Sequence, residues 1–154
     1  MTPIRKREVP DSLRHVYFDF HWSQEKLWAL ETEKSELAMA ELEWALGLPI
    51  WASDPPEKIF DLAPRQVLEN PEKFPGHWKR IREADTSFPI HVMLWKNKWL
   101  IMDGFHRLLR LKADGANKVN VYKVPASAIE NIQPDASLPA DFLRHELARR
   151  DGKK

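Results

Sequence analysis

The feature that most constrains this chain is a pair of apolar runs joined by a short polar turn. In FPIHVMLWKNKWLIMDG, residues 88–104, two β-favouring segments flank Lys96-Asn97-Lys98. A two- or three-residue polar connection between such segments predicts a β-hairpin. Trp95 and Trp99 are expected to face each other across the strands near its turn. The second run stops at Asp103-Gly104, and FHRLLRLKAD follows with helical periodicity, closed by Gly115. A strand therefore passes into a helix within two residues.

The elements around the hairpin set the fold class. KVNVYKVP, from Lys118, alternates with period two and reads as a strand ended by Pro125. Upstream, KIFDLAP reads as a short strand, Pro64 to Pro75 as turn and short helix, and GHWKRIREAD as a helix with Trp78, Ile81 and Ala84 on one side. The tail, LPADFLRHELARR, is a further amphipathic helix. The predicted order from Lys58 is strand, helix, strand, strand, helix, strand, helix, which makes an α+β domain with a small mixed β-sheet and packed helices. Ahead of it, Ser23 is the expected N-cap of a helical stretch running to Leu48. One short and one longer helix are expected there, broken near Glu31–Lys34. The expected organisation is a helical N-terminal arm over residues 1–52, docking on the core or on a second subunit, and an α+β domain over 53–154.

The bulk properties exclude several classes. With 154 residues, 43% hydrophobic and 31% charged, the chain suits one ordinary core and not a disordered segment. Seven tryptophans are expected mostly as core filling. The net charge of +1 is low for a dedicated non-specific DNA binder. The absence of cysteine removes disulfides, cysteine-ligated zinc and a cysteine nucleophile. No apolar run reaches the roughly 18 residues of a membrane span, and the start MTPIRKREVPDS has no apolar segment of signal-peptide type. The expectation is a cytoplasmic protein without a membrane partner. The six histidines show no metalloprotease-type spacing, and no Walker, Rossmann or nucleophile-elbow motif is present.

The candidate chemistry lies in Asp103-Gly104-Phe105-His106-Arg107. A helix start carries free N–H groups and a partial positive charge. A glycine ahead of it lets the backbone approach a ligand. His106 and Arg107 fall in the first turn, and at about 100° per residue they share an arc with Arg110, opposite Phe105, Leu108, Leu109 and Leu111. The pattern suits a phosphate cradle, with Asp103 as a helix cap, a Mg2+ ligand or an orienting group for Arg107. Asp61, Glu57 and Asp85 are further carboxylates that could face the same cleft. Lys79, Arg80, Arg82, Lys96 and Lys98, with Trp95 and Trp99, are the residues from which a nucleic-acid surface could be built.

The run IMDGFHRLLRLKADGANKVNVYKV, with IFDLAPRQVLENPEKF and FPIHVML upstream, resembles the ParB/sulfiredoxin-like superfamily, in which many members carry DGHHR at the corresponding strand-to-helix junction. The resemblance spans about residues 57–125. It implies a nucleotide or phosphate site at Gly104, Phe105, His106, Arg107 and Arg110. Asp103 and His106 would act in catalysis, with ATP or CTP as ligand and Mg2+ as cofactor. The superfamily includes sulfiredoxins, CTP-binding partition proteins, a free-serine kinase and nucleases. Phe105 stands where sulfiredoxins have their reactive cysteine, so sulfinic-acid repair by that route is excluded. The partition proteins' glutamate and additional arginines are also missing here, and a full chromosome-partition role is not expected. Three expectations follow: an NTP-dependent phosphotransferase or hydrolase; a DNA-associated binding module or nuclease; or a non-catalytic interaction protein, dimeric through Trp22–Leu48.

Overall fold

A computed structural model describes residues 4–53, 58 and 60–135. The expected helix in the tail and the carboxylate of Glu57 lie outside the described residues. The described chain is α+β, with a four-stranded mixed sheet in the order β1-β4-β2-β3. Its strands are β1 (Lys34–Ala38), β2 (Ile90–Trp95), β3 (Lys98–Asp103) and β4 (Lys118–Lys123). The helices are α1 (Gln24–Ala29), α2 (Met39–Leu42), α3 (Pro64–Glu69), α4 (Pro75–Arg82) and α5 (Phe105–Ala113). Among the described residues no helix is long and apolar enough to cross a membrane.

The hairpin forms as expected, and its turn shows why. Lys96 and Asn97 both take positive φ, 51° and 72°. This is the mirror-image turn whose twist matches that of the flanking strands. The tryptophans do not face each other: Trp95 opposes Lys98 and Trp99 opposes Leu94. Because successive side chains leave opposite faces of a strand, a two-residue turn separates them. The Trp95 ring packs on Phe18 and Phe20 at 5.6 and 5.4 Å, and its indole N–H donates to the Tyr17 carbonyl at 3.0 Å.

After β3 the chain turns through α5 and returns as β4, parallel to β2. Ile90 and Val121, partners in that pairing, are both fully buried. Leu108 and Leu109 of α5 are buried too, as the apolar arc predicted. Gly115, with φ 82°, ends α5: its N–H bonds to the Lys112 carbonyl and that of Ala116 to the Leu111 carbonyl, both at 3.0 Å.

Two expected elements differ. Residues 34–38 are not helical; they form β1, antiparallel to β4 with Leu37 opposite Val119. The open edge of β4 supplies backbone hydrogen bonds that outweigh a weak helical preference. Among the described residues, KIFDLAP gives isolated bridge positions, with Leu62 pairing to Trp51, in place of the expected strand. Phe60, at φ 56°, breaks the extended path there. The helical reading is right for α1, where the Ser23 hydroxyl accepts from the Lys26 N–H at 3.2 Å.

The N-terminal third also supplies core. Leu13, Phe18, Phe20, Leu27, Leu42 and Leu46 are each essentially inaccessible to water. Residues 5–7 pair with 19–21 as an extended segment, through Arg7 N–H to the Asp19 carbonyl and His21 N–H to the Arg5 carbonyl, both 2.9 Å. Buried Gln133 fastens this layer: its carbonyl accepts from the Arg5 N–H at 2.5 Å, and its amide donates to the carbonyls of His21 and Ile129 at 2.9 and 3.1 Å.

Two outcomes follow. Asn97→Val, which forces a β-branched residue into positive φ, should lower stability by about 1–2 kcal/mol, whereas Asn97→Gly should not; urea midpoints distinguish them. His21 is held at a pKa of about 4 by burial, with Arg7 and Arg5 adding repulsion. A depressed histidine pKa means that the unfolded chain takes up the proton first. This group's contribution is therefore complete above the ordinary value near 6.5 and falls away as pH drops toward 4. Replacing His21 with Asn should flatten the decline in urea midpoint over that window.

Candidate functional site

The Asp103–Arg107 junction is where α1, β3, α5 and the entry to β2 meet. Gly104 takes φ 112°, and an added Cβ there would stand 3.0 and 3.2 Å from the Ile90 side chain. Both backbone conformation and space therefore demand glycine. Its carbonyl accepts the first bond of α5, from the Leu108 N–H at 2.9 Å, and no side chain caps the helix.

Asp103 does not cap α5. Its Oδ1 accepts from Gln24 Nε2 at 2.7 Å, and its Oδ2 from Trp28 Nε1 at 2.8 Å and Arg107 Nη2 at 3.0 Å. Arg107 also donates through Nη1 to the carbonyls of Pro89 and Phe88, at 2.9 and 3.4 Å. The side chains of Asp103 and Arg107 are only 15% and 19% exposed. With three donors on its two oxygens, Asp103 is an orienting group for Arg107. It does not present a bare carboxylate to Mg2+.

His106 packs against His77 of α4 and against Trp51 rather than standing free on the helix surface. Its Nε2 lies 2.9 Å from His77 Nδ1. The two imidazoles are within 16° of coplanar, and the Trp51 ring stacks over both, 4.2 Å from His77 and 4.8 Å from His106. Phe105 meets Trp51 edge-on at 5.9 Å, a packing contact. Arg110 is drawn away: it pairs with Asp114 at 3.0 Å and donates to the Arg82 carbonyl.

These residues border a cleft of about 390 Å³, lined by Asp103, Gly104, His106 and Arg107 from the junction and by Arg80, Glu83, Asp85 and Phe88 from α4 and the turn after it. Arg110 and Phe105 are not among its walls. Asp85 is brought to the cleft. Its Oδ1 accepts from the Ser87 N–H and hydroxyl at 3.0 and 2.6 Å, and these bonds, the hydroxyl first, hold its carboxyl below the usual range. Asp61 is instead spent on Ser53, through bonds of 2.9 and 2.5 Å. Arg80, His77 and Trp51 complete the site without a local motif to announce them: in the sequence Arg80 is one of several basic residues and His77 one of several scattered histidines.

The expected nucleic-acid residues fall on two elements. Lys79, Arg80 and Arg82 lie on α4 beside α5. Lys96 and Lys98 sit at the hairpin tip, about 17 Å along the strands from Asp103 at roughly 3.4 Å per residue. Lys98 covers Trp44 at 4.9 Å, and Lys96 donates to the Arg14 carbonyl at 3.1 Å.

Arg107→Ala strips a donor from Asp103 and leaves the Pro89 carbonyl unpaired. It should cost about 1–3 kcal/mol, read as a lower denaturant midpoint. Arg107→Lys should recover only part of this, because an ammonium cannot reproduce the planar fork.

No protein-family model, curated protein or solved structure matches the chain, so the case for its function rests on the residues of this cleft.

Proposed function

We propose that the protein binds a phosphate-bearing ligand, of nucleoside triphosphate type, in the cleft at the start of α5. One observation carries this: an uncapped helix N-terminus behind Gly104 opens on a cleft that also presents Arg80, His106 and Arg107. The free N–H groups of the first turn attract an anion through hydrogen bonding and the helix dipole. Arg80 supplies charge from the opposite wall, and Arg107, fixed by Asp103, supplies it from the helix itself. The cleft's size falls within the range of about 300–1,000 Å³ usual for ligand sites. The strand–glycine–helix order also accords with the ParB/sulfiredoxin-like resemblance and its nucleotide site.

A phosphotransferase or hydrolase would further need a carboxylate open to Mg2+. Asp85 suits that role better than Asp103, since both Ser87 bonds fall on its Oδ1 and the residue is exposed. Mg2+ there would neutralise phosphate charge. Arg80, His106 and Arg107 would hold the phosphate oxygens in place.

Arg80→Glu tests the binding without disturbing the Asp103 network. Calorimetry with ATP, CTP and pyrophosphate on the folded variant should show affinity weakened about tenfold or more, the loss of about 1.4 kcal/mol. Equal affinity in the variant, or no saturable binding of any of the three to the native protein, would remove the proposal.

A further inference from the structure

A second hollow, of about 480 Å³, opens where the segment between α1 and β1 passes the sheet, and it shares no lining residue with the anion cleft. Its walls have the opposite character. Glu31 and Glu33 line it, and no lysine or arginine does among the described residues. Trp28 stands at its rim, 58% exposed, yet its ring is not free to swing because the indole N–H is tied to Asp103 at 2.8 Å. Across from it, Tyr122 packs against His91 with ring centres 5.0 Å apart. A fixed, solvent-facing indole beside a phenol and two carboxylates is the composition of a cation site, since aromatic faces attract positive charge.

His91 points independently to a ligand. It is 7% exposed, it lines the hollow, and its Nδ1 has no hydrogen-bond partner. The Thr32 hydroxyl, in the same wall, is likewise buried without one. Unpaired polar atoms are costly inside a protein, and here two belong to residues that line one hollow. Burial, with Arg107 adding to it and Asp103 opposing, keeps the His91 pKa below its ordinary value. The neutral ring therefore retains an acceptor nitrogen. Acceptors on carboxylate and imidazole call for a cation that carries N–H groups.

We propose that this hollow binds an alkylammonium group, with Trp28 and Tyr122 supplying aromatic faces, Glu31 and Glu33 the countercharge, and His91 a hydrogen-bond acceptor. The group is the protonated primary amine of a small organic amine or of a lysine side chain. The site stands independently of the anion cleft.

Heteronuclear NMR titration of the full chain tests it, with cadaverine, Nα-acetyl-lysine amide, tetramethylammonium and the neutral isostere 1-pentanol. Cadaverine or the lysine amide should produce saturable shifts of the Trp28 indole N–H and the Tyr122 amide. Tetramethylammonium should bind more weakly, and 1-pentanol should cause none. Tighter binding of the lysine derivative assigns the source to a protein side chain, and tighter binding of cadaverine to a free amine. The exposed double variant Glu31→Gln/Glu33→Gln should weaken the preferred amine about tenfold, and added salt should weaken it in the native protein. Arg80→Glu should leave the titration unchanged. Shifts from 1-pentanol equal to those from the amines, undiminished affinity in the double variant, or no saturable shift with either amine would overturn the assignment.

Discussion

The carboxylate of Asp103 is the constraint on which the rest of this molecule depends. It terminates β3, and its three donors come from two separate parts of the chain: Gln24 and Trp28 on α1, and Arg107 on α5. Arg107 then carries the connection to the carbonyls of Phe88 and Pro89, immediately ahead of β2. A largely buried charge is stable only when its hydrogen-bonding capacity is met. Here, meeting it fixes the placement of α1, the start of α5 and the entry to the hairpin together. Gly104 makes the geometry attainable, because its positive φ turns the chain while Ile90 closes in where a side chain would be.

The same network bears on function through rigidity. A binding wall that is already held in place loses less freedom when a ligand arrives. Arg107 is held by an anion and two carbonyls before any phosphate reaches the cleft. Trp28 is held by the same anion, so the ring at the rim of the second hollow is also set beforehand. Asp103 lies in the wall of the anion cleft, where its oxygens already hold three donors. It acts by keeping a guanidinium on one side and an indole on the other in fixed orientations.

Most of the central architecture was legible because it rests on local rules. The hairpin, α5 with its Gly115 end, the Ser23 cap of α1 and the alternation of β4 each follow from short-range patterns of polarity and backbone preference. β1 was not legible, because KSELA carries helix-favouring residues and becomes a strand only through the free edge of β4, more than eighty residues away in sequence. The junction itself could be located, but not its partners. Nothing near Gln24 or Trp28 announces a bond to Asp103, and nothing in GHW announces that His77 will meet His106 beneath Trp51. Arg110 illustrates the converse. Helical spacing places it on the same arc as His106 and Arg107, but Asp114 and the Arg82 carbonyl satisfy it locally and turn it from the cleft.

Sequence periodicity assigns a residue to a face; neighbouring elements decide what that face meets. On α5 the arc opposite the leucines was expected to present its cations to solvent. α4 packs beside it, so the arc is divided among three environments. His106 enters an aromatic stack, Arg107 enters an ion pair, and Arg110 enters the surface between the two helices. His106 and Arg107 still border the cleft, and the backbone at Gly104–Arg107, which no side chain caps, borders it with them. Free amide N–H groups cannot turn away to a local partner as Arg110 does, because the helix itself fixes their direction. The amides are thus the part of the motif whose availability to a ligand follows from α5 being a helix at all, and the side chains modulate an anion preference that the backbone establishes.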